Sequence, residues 1–131
     1  MVLFAICLQP LTHPASAQEH LWKATDIVYR YGNPAFGYFS MFVMTDEGVV
    51  VIEPMNTNHA QGMLRAIRSI TQQPIRYLLH SHNHWDHSKG GQVFRDQGAK
   101  IVAHTDAVAW MKDNPHADLV LPDEVWSGDR K

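Results

Sequence analysis

Residues 80–91, HSHNHWDHSKGG, place four histidines and an aspartate within eight positions, directly after the apolar segment IRYLL. So many imidazoles in one place restrict both the local backbone and the chemistry of the segment. One interpretation is a specific metal site, since histidine and aspartate are common metal ligands. The other is a solvent-exposed histidine-rich loop that binds metal only weakly.

Three backbone conformations are open to this segment. In a helix, His80, His84 and His87 would share one face. No glutamate follows the first histidine to act as a base, and Asn83 and Asp86 are poor helix formers. In a strand, alternate histidines would share a face, but Asn83, Asp86 and the two glycines that follow are typical of a loop.

A loop leaving a buried strand uses more of the residues. His82 and His84 are two residues apart, so an extended backbone directs both rings to the same side, toward one cation. Asp86 and His87 follow a turn and can reach a second cation nearby. The carboxyl end of a strand is also where α/β sheets usually place their sites. The sequence therefore predicts a metal site formed by His82, His84, Asp86 and His87.

The first 18 residues carry no charged side chain and contain a short apolar run at 2–8. Residues 15–17, Ala-Ser-Ala, fit a cleavage site, so residues 1–17 are interpreted as a signal peptide and the mature protein as periplasmic or secreted. No Lys or Arg precedes the run, which leaves an apolar N-terminal strand or a misplaced start codon as alternatives. The only cysteine, Cys7, lies in this segment, so a mature chain would have no thiolate ligand.

Composition favours one small domain. The chain has 131 residues, 45% of them hydrophobic and 18% charged, with a formal charge of −2. The balanced charge gives no reason to expect nucleic acid as a partner, and the apolar run is far shorter than the roughly 20 residues that span a bilayer. We therefore expect a small-molecule substrate and no membrane, and the sequence leaves the oligomeric state open.

Patterning along the chain predicts an α/β fold. Strands are predicted at 23–30, 38–44, 49–52, 75–79 and 100–103, the second and third of them forming a hairpin. Helices are predicted from a cap at 56–58 to before Pro74, at 92–97, and from a cap at Thr105 to Met111. This alternation implies layered strands and helices with some parallel pairing. Residues 119–131 show no capped element, as in a chain interrupted within a fold.

The spacing His82-x-His84-x-Asp86-His87, followed by Gly90 and Gly91, resembles the HxHxDH signature of the metallo-β-lactamase superfamily. The segments FVMTDEGVVVIEP (42–54) and IVAHTDA (101–107) resemble the usual surroundings of that motif, so the resemblance covers roughly residues 22–127. It implies an αββα sandwich, of which residues 18–131 form the N-terminal part. It further implies that His82 and His84 bind a first zinc ion, and Asp86 and His87 a second.

The resemblance is incomplete in two respects. The family usually has an aspartate where this chain has Glu53, whose longer side chain is still expected to accept a hydrogen bond near the site. The family also needs a third histidine, a bridging carboxylate and a last histidine, normally in the half of the fold that would follow Lys131. His104 ends a predicted strand near the site but is not predicted to be a ligand.

The chemistry implied is metal-dependent hydrolysis. Two zinc ions that share a water lower its pKa from about 15.7 to about 7, so a metal-bound hydroxide can attack at neutral pH. Asp86 would be the catalytic residue that orients this hydroxide and passes a proton to the leaving group. A β-lactam or a lactone is the expected substrate, although thioesters and sulfate or phosphate esters fit the motif too. Aromatic residues are candidate pocket walls or core residues: Trp22, Phe36, Tyr38 and Trp85.

The alternative is a truncated, non-catalytic half-domain or a gene fragment. Catalytic zinc normally has three protein ligands, and four side chains supply too few for two ions. An isolated half would also leave an apolar sheet face open to water. On this interpretation the 131-residue chain aggregates readily and has little hydrolase activity.

Overall fold

Seven strands form one mixed sheet in the computed structural model, which describes residues 19–128. The predicted signal peptide, residues 1–17, lies outside the described residues. The strands follow one another across the sheet in chain order: β1 (His20–Lys23), β2 (Val28–Asn33), β3 (Tyr38–Thr45), β4 (Gly48–Ile52), β5 (Ile75–Leu79), β6 (Lys100–His104) and β7 (Glu124–Trp126).

The direction of pairing changes in the middle of the sheet. Strands β1 to β4 pair antiparallel, and the predicted hairpin is confirmed as β3 and β4. Strands β4 to β7 pair parallel, which requires crossover connections. Helices lie in these connections: α1 (Thr57–Ile70), α2 (Trp85–Ser88), α3 (Gln92–Arg95) and α4 (Thr105–Asp113). The α/β prediction with parallel pairing is confirmed.

The core lies between one face of the sheet and helices α1 and α3. Successive register partners carry a row of buried side chains across four strands, which packs with residues of the two helices: Phe42, Val51, Leu78 and Ile101 with Met63, Ile67 and Phe94. Each such side chain contributes about 2 kcal/mol relative to an exposed one. Strand residues of the alternate parity, such as Met41 and Tyr77, are exposed.

The predicted strand at 23–30 is wrong, because a turn divides it into β1 and β2. The Thr25 hydroxyl oxygen accepts hydrogen bonds from the main-chain N–H groups of Ile27 and Val28. Lys23 pairs with Asp26 across the same turn. Local side-chain bonds to the backbone thus outweigh the β-propensity of the segment.

Two further predictions need correction near the C-terminal part. Helix α4 is capped by His104 and not by Thr105, since Nδ1 of His104 accepts from the N–H of Asp106 at 3.2 Å. Residues 124–126, predicted to lack an element, form β7 beside β6. A strand of three residues is too short to show periodicity, and its pairing is decided by the neighbouring strand.

Helix α1 begins and ends as predicted. The Asn56 side chain accepts from the N–H of His59 at 3.0 Å, and the helix ends at Ile70, before Pro74. Within residues 19–128, no helix combines the length and the apolar character needed to cross a bilayer.

Candidate metal centre

The histidine segment begins as a loop at the carboxyl end of β5 and then enters a short helix. The N–H of His80 bonds to the carbonyl of Val102 in β6, which continues the sheet for one residue. The chain then turns through residues 81–84, and α2 begins at Trp85. Of the three conformations considered, the loop holds for the first half of the segment, and a helix turn carries Asp86 and His87.

The loop and the helix turn bring three imidazole rings together. The centroid of the His82 ring lies 4.7 Å from that of His84 and 4.1 Å from that of His87. The side chains of His82 and His87 are 37% and 23% exposed, so the cluster opens to solvent on one side.

A carboxylate from another strand joins these rings. Glu53, which follows β4, lies with its Oε2 2.9 Å from Nδ1 of His87 and its Oε1 3.9 Å from Nδ1 of His82. One ligand atom from each of these three residues lies within 4.8 Å of the others. The expectation that Glu53 accepts a hydrogen bond near the site is confirmed.

The donor types in this cluster fit a zinc ion or a similar transition metal. Two imidazole nitrogens and a carboxylate oxygen converge, and residues 19–128 contain no cysteine that could add a thiolate. The pKa of His82 lies below its ordinary value, because burial and then the neighbouring His87 and His84 disfavour the protonated ring. A neutral imidazole is the form that binds a metal.

The other two predicted ligands lie at the edge of this cluster. His84 precedes α2 and its ring stands edge-on to His82. Asp86 directs Oδ2 to within 3.6 Å of Nε2 of His87, and its side chain is 69% exposed. The four predicted residues are therefore neighbours, and Glu53 is a fifth donor that lies beside His82 and His87.

Tyr38 connects the histidine segment to the start of β3. Its hydroxyl donates to the carbonyl of Asp86 at 2.7 Å and lies 3.1 Å from Nδ1 of His87. Burial, and then the nearby charges of Glu53 and Asp86, raise the pKa of Tyr38 well above its usual range. Tyr38 therefore stays neutral and acts as a hydrogen-bond donor to the segment, beyond the pocket-wall role considered for it.

His80 differs from the other histidines of the segment. It is 2% exposed, and neither ring nitrogen has a hydrogen-bond partner among the described residues. Burial lowers the pKa of His80 to about 4, so the ring is neutral at neutral pH. His80 is thus a buried, neutral residue of the segment, whereas His82 and His87 are partly exposed.

An open cleft of about 440 Å³ adjoins the cluster, lined by His84, Trp85, Asp86, Lys89 and Trp110. The Trp85 ring packs against Trp110 at 5.9 Å, and its Nε1–H donates to the carbonyl of Asn114. The cleft presents flat apolar surface beside two of the predicted ligands. Trp85 is therefore placed as a pocket wall.

The remaining aromatic candidates and His104 have other surroundings. The Trp22 ring packs on Phe39 at 5.4 Å, and Phe36 is 72% exposed. His104 caps α4, and its ring packs against Trp126 at 5.9 Å. These contacts give His104 a structural role.

A polar network under the site was missed by reasoning from the sequence. His59, a histidine far from the 80–91 segment in sequence, lies buried between Glu19 and Ser40 and bonds to both. The only sequence signal was a histidine in the first turn of an amphipathic helix, which does not reveal its partners.

Residues 33–127 match the family model described as the Metallo-beta-lactamase superfamily. A metallo-beta-lactamase from Pontibacter korlensis superposes with a TM-score of 0.74 at 21% identity, over 86% of this chain and 54% of that one. FIM-1 from Pseudomonas aeruginosa, in its mono-zinc form, superposes with a TM-score of 0.72 at 16% identity, over 88% and 54% of the two chains. These likenesses show the fold.

A curated relative is 26% identical over 125 residues, which are 93% of this chain and 35% of the relative. It is the 2,4-dinitroanisole O-demethylase subunit alpha of Nocardioides sp. strain JS1661.

The mixed sheet with its crossover helices has the architecture of the N-terminal half of an αββα metallo-β-lactamase sandwich. With the family match over residues 33–127, the chain belongs to the metallo-β-lactamase superfamily. It spans about half the length of the solved structures that it matches and 35% of the curated relative.

Proposed function

We propose that this chain supplies the metal-ligating part of a metal-dependent hydrolase that acts on a small molecule. The observation that carries the proposal is the convergence of donor atoms from His82, His87 and Glu53 within 4.8 Å, with His84 and Asp86 beside them. Zinc is the proposed metal because the donors are imidazole and carboxylate in an open cluster, and we propose two ions for the whole domain.

The position of each residue in the cluster suggests its role in the proposed reaction. Bound zinc acts as a Lewis acid and lowers the pKa of water toward neutrality. The rings of His82, His84 and His87 would hold the metal, and the Glu53 carboxylate, 2.9 Å from Nδ1 of His87, would fix the orientation of that ring. The exposed carboxylate of Asp86 is the candidate catalytic group, since it reaches the solvent side of the cluster, orients water there and accepts its proton.

A strained ring such as a β-lactam or a lactone is the substrate that we propose first. The support is that solved relatives carry the name metallo-beta-lactamase. A second candidate is an aryl methyl ether, because the curated relative is named for O-demethylation of 2,4-dinitroanisole. The cleft lined by Trp85 and Trp110 could stack against an aromatic ring, which supports an aryl ether as the second candidate substrate.

The competing proposal is a half-domain that binds metal without catalysis. Catalytic zinc normally needs three protein ligands for each ion, and the four predicted ligands are too few for two ions. This chain also spans only about half the length of its solved relatives. We therefore propose that turnover belongs to the whole protein, in the periplasm or outside the cell as the N-terminal segment indicates. Strong zinc-dependent turnover by the 131-residue chain alone would refute the proposal that this chain needs the rest of the protein for activity.

Metal binding is tested by dialysing the chain against excess zinc, removing free metal and measuring bound zinc by mass spectrometry. We expect stoichiometric zinc in the wild type and its loss in His82→Ala and His84→Ala. His20→Ala is the matched control, since His20 lies on the exposed edge strand β1. Equal zinc retention in all four proteins would show nonspecific surface binding and would refute the metal-site proposal.

Substrate class is tested on the whole protein loaded with zinc. A chromogenic β-lactam, an acyl homoserine lactone and 2,4-dinitroanisole are offered in parallel, with Asp86→Asn as the inactive control. We expect hydrolysis of a ring substrate that is lost in Asp86→Asn. Zinc binding without turnover of any of the three compounds would favour the non-catalytic half-domain.

A further inference from the structure

Beneath the metal centre, a hydroxyl, an imidazole and a carboxylate are hydrogen-bonded in series. The Ser40 Oγ lies 2.8 Å from Nε2 of His59, and Nδ1 of His59 contacts Oε1 of Glu19. The Tyr31 hydroxyl donates to the other oxygen of Glu19 at 2.9 Å. Ser40 and His59 are 1% and 3% exposed, so the series is closed to solvent at its centre.

The same order of groups activates the nucleophile of serine hydrolases, but Ser40 cannot act in that way. Its side chain is buried, and its hydroxyl contacts the main-chain carbonyl of Glu53. A carbonyl oxygen only accepts hydrogen bonds, so the hydroxyl proton of Ser40 is directed there. The Ser40 oxygen lies within hydrogen-bond distance of Nε2 of His59, and the series therefore ends on the backbone carbonyl of Glu53.

Glu53 needs such support because of its backbone conformation. Its φ angle is +62°, in the left-handed region that residues other than glycine adopt only when their surroundings hold them there. The N–H of Glu53 bonds to the carbonyl of Leu79 in β5 at 3.1 Å. The Ser40 hydroxyl bonds to the Glu53 carbonyl, so both the N–H and the C=O of Glu53 are hydrogen-bonded. In this conformation the Glu53 carboxylate faces His87.

We propose that Glu19, His59 and Ser40 are positioning residues that hold the Glu53 carboxylate toward His82 and His87. The sheet explains how they meet: Ser40 and Tyr31 are register partners in β3 and β2, and His59 lies in the first turn of α1, above the same face. Removal of a link lets the strained peptide relax and withdraws the carboxylate from the rings. The part of the proposal that concerns zinc rests on the proposed function.

The positioning itself is tested on the metal-free full chain by hydrogen exchange at the Glu53 amide. Ser40→Ala is expected to raise that exchange rate about 10-fold or more, since the strained peptide loses one of two anchors. Ser69→Ala is the matched control, because Ser69 is an exposed serine of α1. Unchanged exchange in Ser40→Ala would overturn the proposal, whatever the zinc measurements show.

The consequence for the metal is tested by a double-mutant cycle on zinc affinity, measured by competition with a chromogenic chelator. We expect Ser40→Ala to weaken zinc binding about 10-fold, as loss of an outer hydrogen-bond partner does, and to have no further effect when Glu53 is already Ala. An equal loss in both backgrounds would overturn the proposal, because Ser40 would then act without Glu53.

Glu19→Gln provides a second variant at the partly exposed end of the series, in case Ser40→Ala does not fold. It keeps the size of the side chain and removes the charge that holds His59, so we expect the same direction of change in exchange and in zinc affinity. The cobalt-substituted protein gives an independent signature, since a changed d–d absorption reports altered ligand geometry. If the wild type binds no zinc while the exchange effect is present, the positioning is supported and the proposed function alone fails.

Discussion

Oε2 of Glu53 lies 2.9 Å from Nδ1 of His87 and joins the end of β4 to the histidine segment that follows β5. A carboxylate beside a ring nitrogen accepts from its N–H, and such a contact orients a metal-binding imidazole. The other ring nitrogen, Nε2, lies 3.6 Å from Oδ2 of Asp86, so each nitrogen of this predicted ligand faces a carboxylate.

Replacement of the Glu53 carboxylate should therefore weaken metal binding without direct removal of a histidine. We expect Glu53→Gln to lower zinc affinity by about 10- to 100-fold, the usual cost of losing such a partner, measured by chelator competition. Glu47→Gln, on the exposed turn between β3 and β4, is the control and should bind zinc as the wild type does. An affinity unchanged in Glu53→Gln would contradict the assigned role.

Tyr38 should stabilise the fold through its bond to the carbonyl of Asp86. Loss of that hydroxyl in Tyr38→Phe leaves the carbonyl without its donor, so we expect the free energy of unfolding to fall by about 1 kcal/mol. Urea denaturation of the metal-free protein measures the change. Tyr77→Phe, at an exposed tyrosine of β5, should be neutral, and equal effects at both positions would argue against a specific bond.

Alanine substitutions at Gly90 and Gly98 should distinguish the cost of steric crowding from the cost of backbone strain. Both have positive φ, +84° and +88°, but a Cβ on Gly90 would lie 2.6 Å from the carbonyl oxygen of Asn56, whereas nothing lies within 4 Å of one on Gly98. We expect Gly98→Ala to cost about 1 kcal/mol and Gly90→Ala about 3 kcal/mol or more, by urea unfolding. Equal losses of unfolding free energy in the two variants would mean that Asn56 can move away and accommodate a Cβ at Gly90.

Alkaline pH should weaken the contribution of Tyr31. Burial, and then its hydrogen bond to Glu19, raise the pKa of Tyr31 from its ordinary value of 10.0 to about 12. The unfolded chain thus loses this proton at lower pH than the folded chain does, so the contribution is complete below pH 10 and is lost as the pH rises to about 12.

The measurement compares urea unfolding of wild type and Tyr31→Phe at pH 8 and pH 11. The phenylalanine variant has no proton to lose at this position, so the difference in stability between the two proteins should change in favour of the variant at pH 11. A difference that is independent of pH would show that the Tyr31 hydroxyl titrates alike in the folded and unfolded chains.

Prediction from the sequence succeeded where the signal was local. The helix at α1 has a capping asparagine and one apolar face, and β5 is a short, mostly apolar segment directly after Pro74, so both were found. The turn at Thr25 and the short strand β7 were missed, because side-chain bonds to the backbone and pairing with a neighbouring strand outweigh propensity there. The histidine spacing indicated which side chains share a site, since they lie within eight residues.

The sequence by itself determined the kinds of donor in residues 80–91 and their spacing: imidazoles two residues apart, and an aspartate and a histidine after a turn. Only the tertiary structure decided that Glu53 completes the cluster from 34 residues away, and that Glu19, His59 and Ser40 lie beneath it. The physical reason is that these contacts depend on strand register and on where α1 crosses the sheet. Neither is encoded in any short segment of the chain.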